Sequence, residues 1–260
     1  DTGDMLPPEL AQIMARLRDD AHFMPPAQLK QVLNAQWPAN WINQFKTFDV
    51  RPIAAASIGQ VHKVTLKDGR ELAIKVQYPG VAKSIDSDVA NVAALIRMSG
   101  LLPKGLDLAP YLAEARAQLH EETDYIREAA QTKRFADLLA DQPQFVVPKL
   151  VDDWSTSQIL AMSFEPGIAV EEAANESQEI RDQIATHLIA LTLREIFDFG
   201  FMQTDPNFAN YRYQSDTGRI VLLDFGAARD ISAPLARQYR RLLQAGLKDD
   251  AAGIQQIAQE

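Results

Sequence analysis

Apolar and polar positions follow two different periods along the chain, and the change of period divides it. Through residue 48 the spacing is helical. Leu10, Ile13, Met14 and Leu17 recur three and four residues apart after Pro7-Pro8-Glu9, which predicts an amphipathic helix. Ala21 to Pro26 breaks the pattern, and a second helix is expected over 27–35. Trp37, Trp41, Phe45 and Phe48 then read as packing residues that dock this helical segment on a larger body. From Pro52 the period drops to two. Ala54-Ala55-Ala56-Ser57-Ile58-Gly59 is a small-residue turn running into a strand that reaches Leu66, and Lys67-Asp68-Gly69-Arg70 closes a hairpin. The return strand, Glu71–Gln77, places Leu72, Ile74 and Val76 on one face and Ala73, Lys75 and Gln77 on the other.

Helical spacing resumes at Ile85, Val89, Val92, Ala93 and Ile96, with Ser84 as a cap and Gly100 and Pro103 as the stop. One long helix is expected over 109–139, with Leu112, Leu119 and Ile126 in a stripe, Glu122 within that stripe, and Glu121, Asp124 and Glu128 on another face. Residues 145–151 and 158–163 read as two strands finishing a small β-rich lobe. Ile180, Ile184, Leu188, Leu191 and Phe197 mark the buried face of a long helix, and a last helix over about 232–247 carries Leu235, Tyr239, Leu242 and Leu243.

Composition narrows the class. At 260 residues, 47% apolar and 23% charged, the chain is long enough for a two-lobed domain with sizeable cores. Its net charge of −9 argues against nucleic acid as the main partner. No cysteine is present, which excludes a disulfide scaffold and any thiolate metal site. No apolar run reaches the about 18 residues of a spanning helix, and no secretory signal is evident. The sequence begins at Asp1 without a methionine and reads as a fragment. His22, His62, His120 and His187 are scattered, with no metal-binding spacing, and are expected to be structural or solvated.

The chemistry concentrates between Phe201 and Arg229. Asp205 and Asn210 sit five apart on a loop broken by Pro206. Residues 210–213 read as a short strand, 215–218 as a turn and 220–223 as a buried strand that delivers Asp224 to its C-terminal end, followed by Phe225-Gly226. This hairpin can fold the three polar side chains toward one point. D-x4-N, a hairpin and then D-F-G resembles a protein-kinase-like site: an Asp facing the acceptor, with an Asn and the D-F-G Asp as Mg²⁺ ligands. Lys75, upstream on its strand and turned off the core face, then reads as a lysine for nucleotide phosphates.

AAASIGQVH, AIKVQYPGV, ETDYIREA, FMQTDPNFAN and LLDFGAAR together resemble the UbiB family of atypical kinase-like proteins, in its mitochondrial and proteobacterial coenzyme-Q branch. The resemblance implies an α+β, protein-kinase-like bilobal fold with an additional N-terminal helical segment. It suggests a helical extension over 1–50, a small lobe over 51–165 and a helical large lobe over 166–260. It implies that ATP lies in the cleft under Ala54, Ala55, Ala56 and Ser57, an alanine-rich counterpart of the usual glycine-rich loop, with its adenine on the backbone of Met162, Ser163 and Phe164. Lys75 and a helix glutamate would orient the phosphates: Glu128, or else Glu122. Asp205 would position the nucleophile, Asn210 and Asp224 would hold Mg²⁺, and Glu122 and Asp124 form the family's E-x-D motif.

Two features depart from the family pattern. Its K-x-G-Q motif is missing, since Leu6-Pro7-Pro8-Glu9 is nearly the first stretch of the sequence. Where many members read D-P-H-P-G-N, this chain has Asp205-Pro206-Asn207-Phe208-Ala209-Asn210. No A-P-E follows D-F-G, so little activity toward a protein in trans is expected.

The resemblance implies ATP binding and hydrolysis in support of ubiquinone biosynthesis. Phosphotransfer to a protein or small molecule, and a non-catalytic nucleotide-binding assembly role, are the alternatives. The implied partners are adenine nucleotide, quinone-biosynthesis proteins or isoprenoid-quinone intermediates, and peripheral membrane through the N-terminal segment, with no nucleic acid. The implied setting is the cytoplasmic side of a bacterial inner membrane or the cytoplasm, with the mitochondrial matrix or inner membrane as the alternative.

Overall fold

The computed structural model describes residues 23–56, 58–99, 108–205 and 207–248. The helix expected over 10–17, Ser57 of the alanine-rich turn, the stop at Gly100 and Pro103, and Pro206 lie outside the described residues. In chain order the strands of the first half are β1 (Phe45–Phe48), β2 (Ala54–Ala56), β3 (Gly59–Leu66), β4 (Glu71–Gln77), β5 (Phe145–Val146) and β6 (Ile159–Ser163). Those of the second half are β7 (Ile168–Ala169), β8 (Phe201–Gln203), β9 (Tyr211–Gln214), β10 (Arg219–Leu222) and β11 (Ala228–Asp230). The first sheet runs β1-β3-β4-β6 with β2 on β3, all antiparallel. The second runs β5-β10-β9-β7, and β8 with β11 makes a small third.

The aromatic cluster is the anchor of the first sheet. Helix α1 (Pro26–Gln36) buries Leu29, Val32 and Leu33. Behind it Trp37, Trp41 and Phe45 close on Trp154, with Trp37 donating to the Trp154 carbonyl at 3.1 Å. The helical reading up to residue 48 fails at Phe45–Phe48, which is a strand on β3. A bulge between Phe45 and Thr47 turns Phe45 and Phe48 toward the same cluster, and that three-residue spacing imitates a helix. Trp37, Trp41 and Phe45 are buried and committed to packing, while Ile42 between them is 60% exposed.

The β3–β4 hairpin turns at Gly69, whose φ of +92° only glycine adopts without strain. At Gly59 the constraint is space: an added Cβ would lie 2.2 Å from the Val76 carbonyl oxygen of β4. Ala54 to Ala56, expected as part of a turn, instead form β2, paired residue by residue with β3. His62 is structural. Its Nδ1–H donates to the Asp49 carbonyl, Nε2 accepts from the Gln60 amide, and burial lowers its pKa.

Helix α2 (Val81–Ser99) contains Ser84, whose hydroxyl donates to the Val81 carbonyl, so Ser84 does not cap the helix. The single helix expected over 109–139 is two, α3 (Ala109–Glu122) and α4 (Tyr125–Leu138). Asp124 leaves helical geometry and caps α4, its carboxylate accepting the Arg127 N–H at 2.9 Å. The break changes the phase of the spacing, so Ile126 is 66% exposed and does not continue the stripe of Leu119. Phe145 and Val146 pair in parallel with β10, so the first of the two strands expected in the small lobe belongs to the second sheet.

Helix α5 (Gln178–Arg194) runs into a π-helical turn, Glu195–Phe199, closed by Gly200 at φ +58°. The wider turn inserts one residue and rotates the positions after it. Glu195 and Ile196 therefore point inward, and Phe197, expected on the buried face, lies half-buried with the Arg240 guanidinium 5.2 Å from its ring centre. Helix α6 (Ala233–Leu247), capped by Ser232, presents Leu235, Tyr239 and Leu243 to solvent. The second core gathers Phe135, Phe201 and Phe225 with Ile184, Leu191 and Ile220.

Gly59→Ala is expected to cost roughly 2–4 kcal/mol, because backbone blocks the methyl. Gly69→Ala, where nothing lies within 4 Å, should cost only about 1 kcal/mol from positive φ. Chemical denaturation of both variants checks the order; equal midpoints would contradict the close β3–β4 approach at Gly59.

Candidate functional site

Lys75 sits in the middle of β4, opposite Val61 on β3 and Leu160 on β6, so hydrogen bonds on both sides fix its backbone. Strand alternation sends its side chain to the face opposite Leu72, Ile74 and Val76. There it meets α4. Lys75 Nζ donates to both oxygens of Glu128 at 2.9 Å and to Asp224 Oδ2 at 3.4 Å, and lies 5.2 Å from the centre of the Tyr125 ring. Of the two candidate partners, Glu128 is the one beside Lys75. Glu122 ends α3 and adds negative potential at Tyr125 and Glu128.

One cation therefore faces two carboxylates, with the Lys75 side chain 12% exposed and that of Glu128 3%. Burial alone would lower the Lys75 pKa, but Asp224 and Glu128 overcome it and hold the ammonium well above its ordinary value. Burial would raise Asp224, and the Lys75 charge and Gly226 N–H outweigh it, keeping Asp224 below the usual carboxylate range. Glu128 is pushed up to about 7, by burial first and by Asp224 as well, with Lys75 only partly offsetting. The trio carries a formal surplus of one negative charge when all three are ionised.

Asp224 emerges from the C-terminal end of β10, and Gly226 N–H turns back to its Oδ1 at 2.9 Å. Phe225 is buried against Phe135, their ring centres 4.7 Å apart. Asp205 follows β8. Asn207 accepts the Ala209 N–H at 3.0 Å and caps the short turn ending at Asn210, whose amide reaches Asp205 Oδ2 at 3.5 Å. The Asn210 carbonyl accepts the Leu223 N–H at 2.9 Å, which extends the β9–β10 hairpin and sets Asn210 against the strand leading into Asp224. Asp205, Asn210, Asp224, Lys75 and Glu128 thus gather beyond the C-terminal end of β10, Lys75 reaching there from the middle of β4.

The strand-to-loop exit is less open than the sequence suggested. Met162 is buried, the Ser163 N–H donates to the Lys149 carbonyl at 2.8 Å, and the Phe164 N–H to the Glu71 carbonyl at 3.0 Å. Those two N–H groups are engaged within the protein. Asp124 serves as the α4 cap.

Several residues here are given no role by the sequence. Arg127 donates to the Gly226 and Ala228 carbonyls at 2.8 and 3.0 Å, Gln131 to the Ala228 carbonyl at 2.7 Å, and Arg134 to Asp230 at 2.7 Å. Arg229 pairs with Glu121 at 2.7 Å. Arg127, Gln131 and Arg134 recur at helical spacing, a polar stripe whose partners lie far along the chain. Gln203, inside the quoted FMQTDPNFAN stretch, and Glu195 are likewise given no role. Gln203 Nε2 donates to the Asp224 carbonyl, and its Oε1 accepts the Asp205 N–H at 3.1 Å. Glu195 is buried at the π turn and accepts the Gln203 backbone N–H; burial pushes its pKa up to about 8. A small cavity with about 10 Å³ of room, enough for one water, is lined by Glu195, Gln203, Asn210, Tyr211 and Asp224.

Glu195 retains a proton in the folded chain through a range where the unfolded chain has lost it. Stability should therefore fall as pH rises from about 4.5 to about 8. Glu195→Gln keeps the acceptor for Gln203 and removes the titration. Urea unfolding at pH 5 and pH 8 should show the native chain losing roughly 2–4 kcal/mol more than the variant. An identical pH dependence for both would refute the neutral Glu195.

The family model described as the ABC1 atypical kinase-like domain matches residues 16–258. The rat protein named "Atypical kinase COQ8B, mitochondrial" is 42% identical over 258 residues, covering 99% of this chain and 49% of that protein. The budding-yeast "Atypical kinase COQ8, mitochondrial" is 41% identical over 254 residues, covering 98% and 51%. The chain thus spans about half the length of these relatives. Among solved structures, Rv3197 of Mycobacterium tuberculosis, in a complex with erythromycin, superposes with a TM-score of 0.71 at 27% identity, over 98% of this chain and 65% of that one. The Lys75–Glu128–Asp224 cluster, the Asp205–Asn210 loop and these matches lead to one conclusion: the chain belongs to the ABC1, or UbiB-type, family of atypical kinase-like domains.

Proposed function

We propose that this chain binds a Mg²⁺–adenine nucleotide between its two sheets and hydrolyses it in support of coenzyme Q biosynthesis. The observation that carries the reading is Lys75 held 2.9 Å from both Glu128 oxygens and 3.4 Å from Asp224, which aims a buried ammonium at the cleft. In this reading Lys75, steadied by Glu128, binds phosphate oxygens, and Asp205 orients the attacking oxygen. Asp224 and Asn210 supply hard oxygen donors of the kind Mg²⁺ prefers, and the surplus negative charge of the Lys75 trio favours a cation. Bound with nucleotide, Mg²⁺ supplies charge neutralisation at the phosphates. The adenine edge lies along residues 162–164, using carbonyls or later backbone, because the Ser163 and Phe164 N–H groups are engaged. The alanine-rich β2–β3 hairpin closes the other side of the cleft.

Transfer to a protein acceptor is the second reading, and the segment after D-F-G counts against it. Residues 228–230 are already a strand on β8, held by Arg127, Gln131 and Arg134, and Ser232 caps α6 two residues later. No long activation segment intervenes to build a peptide shelf. The named mitochondrial relatives favour the mitochondrial alternative for a quinone-biosynthesis setting. Among the described residues no helix is long and apolar enough to cross a membrane, so contact with quinone intermediates is peripheral in this reading.

Asp224→Ala tests the assignment by binding rather than turnover. ATP affinity should weaken about tenfold or more with Mg²⁺ and match the native chain in EDTA, while the circular-dichroism melt stays cooperative. Mg²⁺-dependent affinity equal to the native value would overturn the site. Phosphate release by the native chain without any added acceptor distinguishes hydrolysis from transfer.

A further inference from the structure

We propose that Gln203 is a positioning residue for this site, setting the separation of Asp205 from Asp224 through a single side-chain amide; the inference rests on the nucleotide reading above. Gln203 ends β8 and is 7% exposed. Its two amide atoms face partners of fixed and opposite character. The Asp224 backbone carbonyl only accepts, and it takes Nε2–H; the Asp205 backbone N–H only donates, and it goes to Oε1 at 3.1 Å. The side chain must therefore donate at one end and accept at the other across one planar group. A glutamate of the same length would set two acceptors where one donor is needed, and a methionine would leave both backbone groups unpaired.

The amide cannot swing away, because its own backbone is held on two sides. Its N–H donates to the buried Glu195 carboxyl, and the β8–β11 pairing sets Gln203 opposite Ala228. Ala228 is in turn fixed by Arg127 and Gln131. Asp205 and Asp224 lie at the same end of the β9–β10 hairpin, Asp205 ahead of β9 and Asp224 after β10, and neither belongs to its ladder. Gln203 links the Asp205 loop to the D-F-G backbone at Asp224, and the neighbouring Thr204 hydroxyl donates to the Ala227 carbonyl at 2.7 Å. Small shifts between the groups that hold nucleophile and metal carry large kinetic costs, so the role belongs to function as much as to folding.

The test uses the full chain with Gln203→Glu and Gln203→Met, both close in volume to glutamine. The Mg²⁺ concentration that half-saturates ATP binding, ATP affinity in EDTA, the thermal midpoint and hydrogen exchange at the Asp205 amide are measured together. The expected result is a rise of about tenfold in half-saturating Mg²⁺ in both variants, with faster exchange at Asp205 in Gln203→Met, which alone removes its acceptor. Affinity in EDTA should stay within about twofold, with a midpoint only a few degrees lower. Variants that match the native chain in Mg²⁺ requirement and Asp205 exchange overturn the role of Gln203 and leave the nucleotide reading standing. Variants that lose affinity equally with and without Mg²⁺ overturn it too, since that is the mark of a merely structural residue. A native chain with no Mg²⁺-dependent binding overturns the nucleotide reading, and this proposal with it.

Discussion

A buried ammonium shared between two carboxylates is the constraint on which the rest of this structure depends. Lys75 comes from the first sheet, Glu128 from α4 and Asp224 from the end of the second sheet. A buried ion pair is seldom a net source of stability, because desolvation offsets the attraction, whereas a buried charge without its partner is expensive. The cluster therefore acts less as glue than as a condition: the sheets and the helix must meet at this point or leave a charge stranded. The surrounding fold meets it with neutral packing, through the aromatic cluster on one side and Phe135, Phe201 and Phe225 on the other.

Much of this was legible in the sequence where a short-range pattern coincided with a geometric need. The alternation through Glu71–Gln77 fixed the face of Lys75, and the turn at 215–218 delivered Asp224 as expected. The pattern misled where one residue changed the phase. The bulge in β1 gave a strand a helical spacing, the Asp124 cap split one stripe into two helices, and the π turn moved burial from Phe197 to Glu195 and Ile196. Each is a local insertion or break whose cause lies in distant packing. Gln203, Arg127 and Gln131 were illegible for another reason: their partners are backbone carbonyls and N–H groups, which have no signature in a list of side chains.

Those backbone contacts give the region after D-F-G its character. Arg127 and Gln131 hold the Gly226 and Ala228 carbonyls while β8 pairs with β11, so the chain leaves the site already ordered. A segment bonded in this way has few states to choose between. Control of such a site falls more readily on the cleft and its charges than on reordering of this strand.

The π turn at Glu195–Phe199 bears on how the chain tolerates changes of length. It holds one residue more than an α-helical path would need, and that surplus residue turns the Glu195 carboxyl toward the Gln203 backbone. A single-residue deletion there would restore regular winding and rotate the residues after it by about a quarter turn relative to α5, carrying the Gln203 backbone away from the Glu195 carboxyl. The spacing between α5 and β8 is thus constrained as tightly as the identity of any residue in it, and a gap of one position in that stretch would mark a differently supported site.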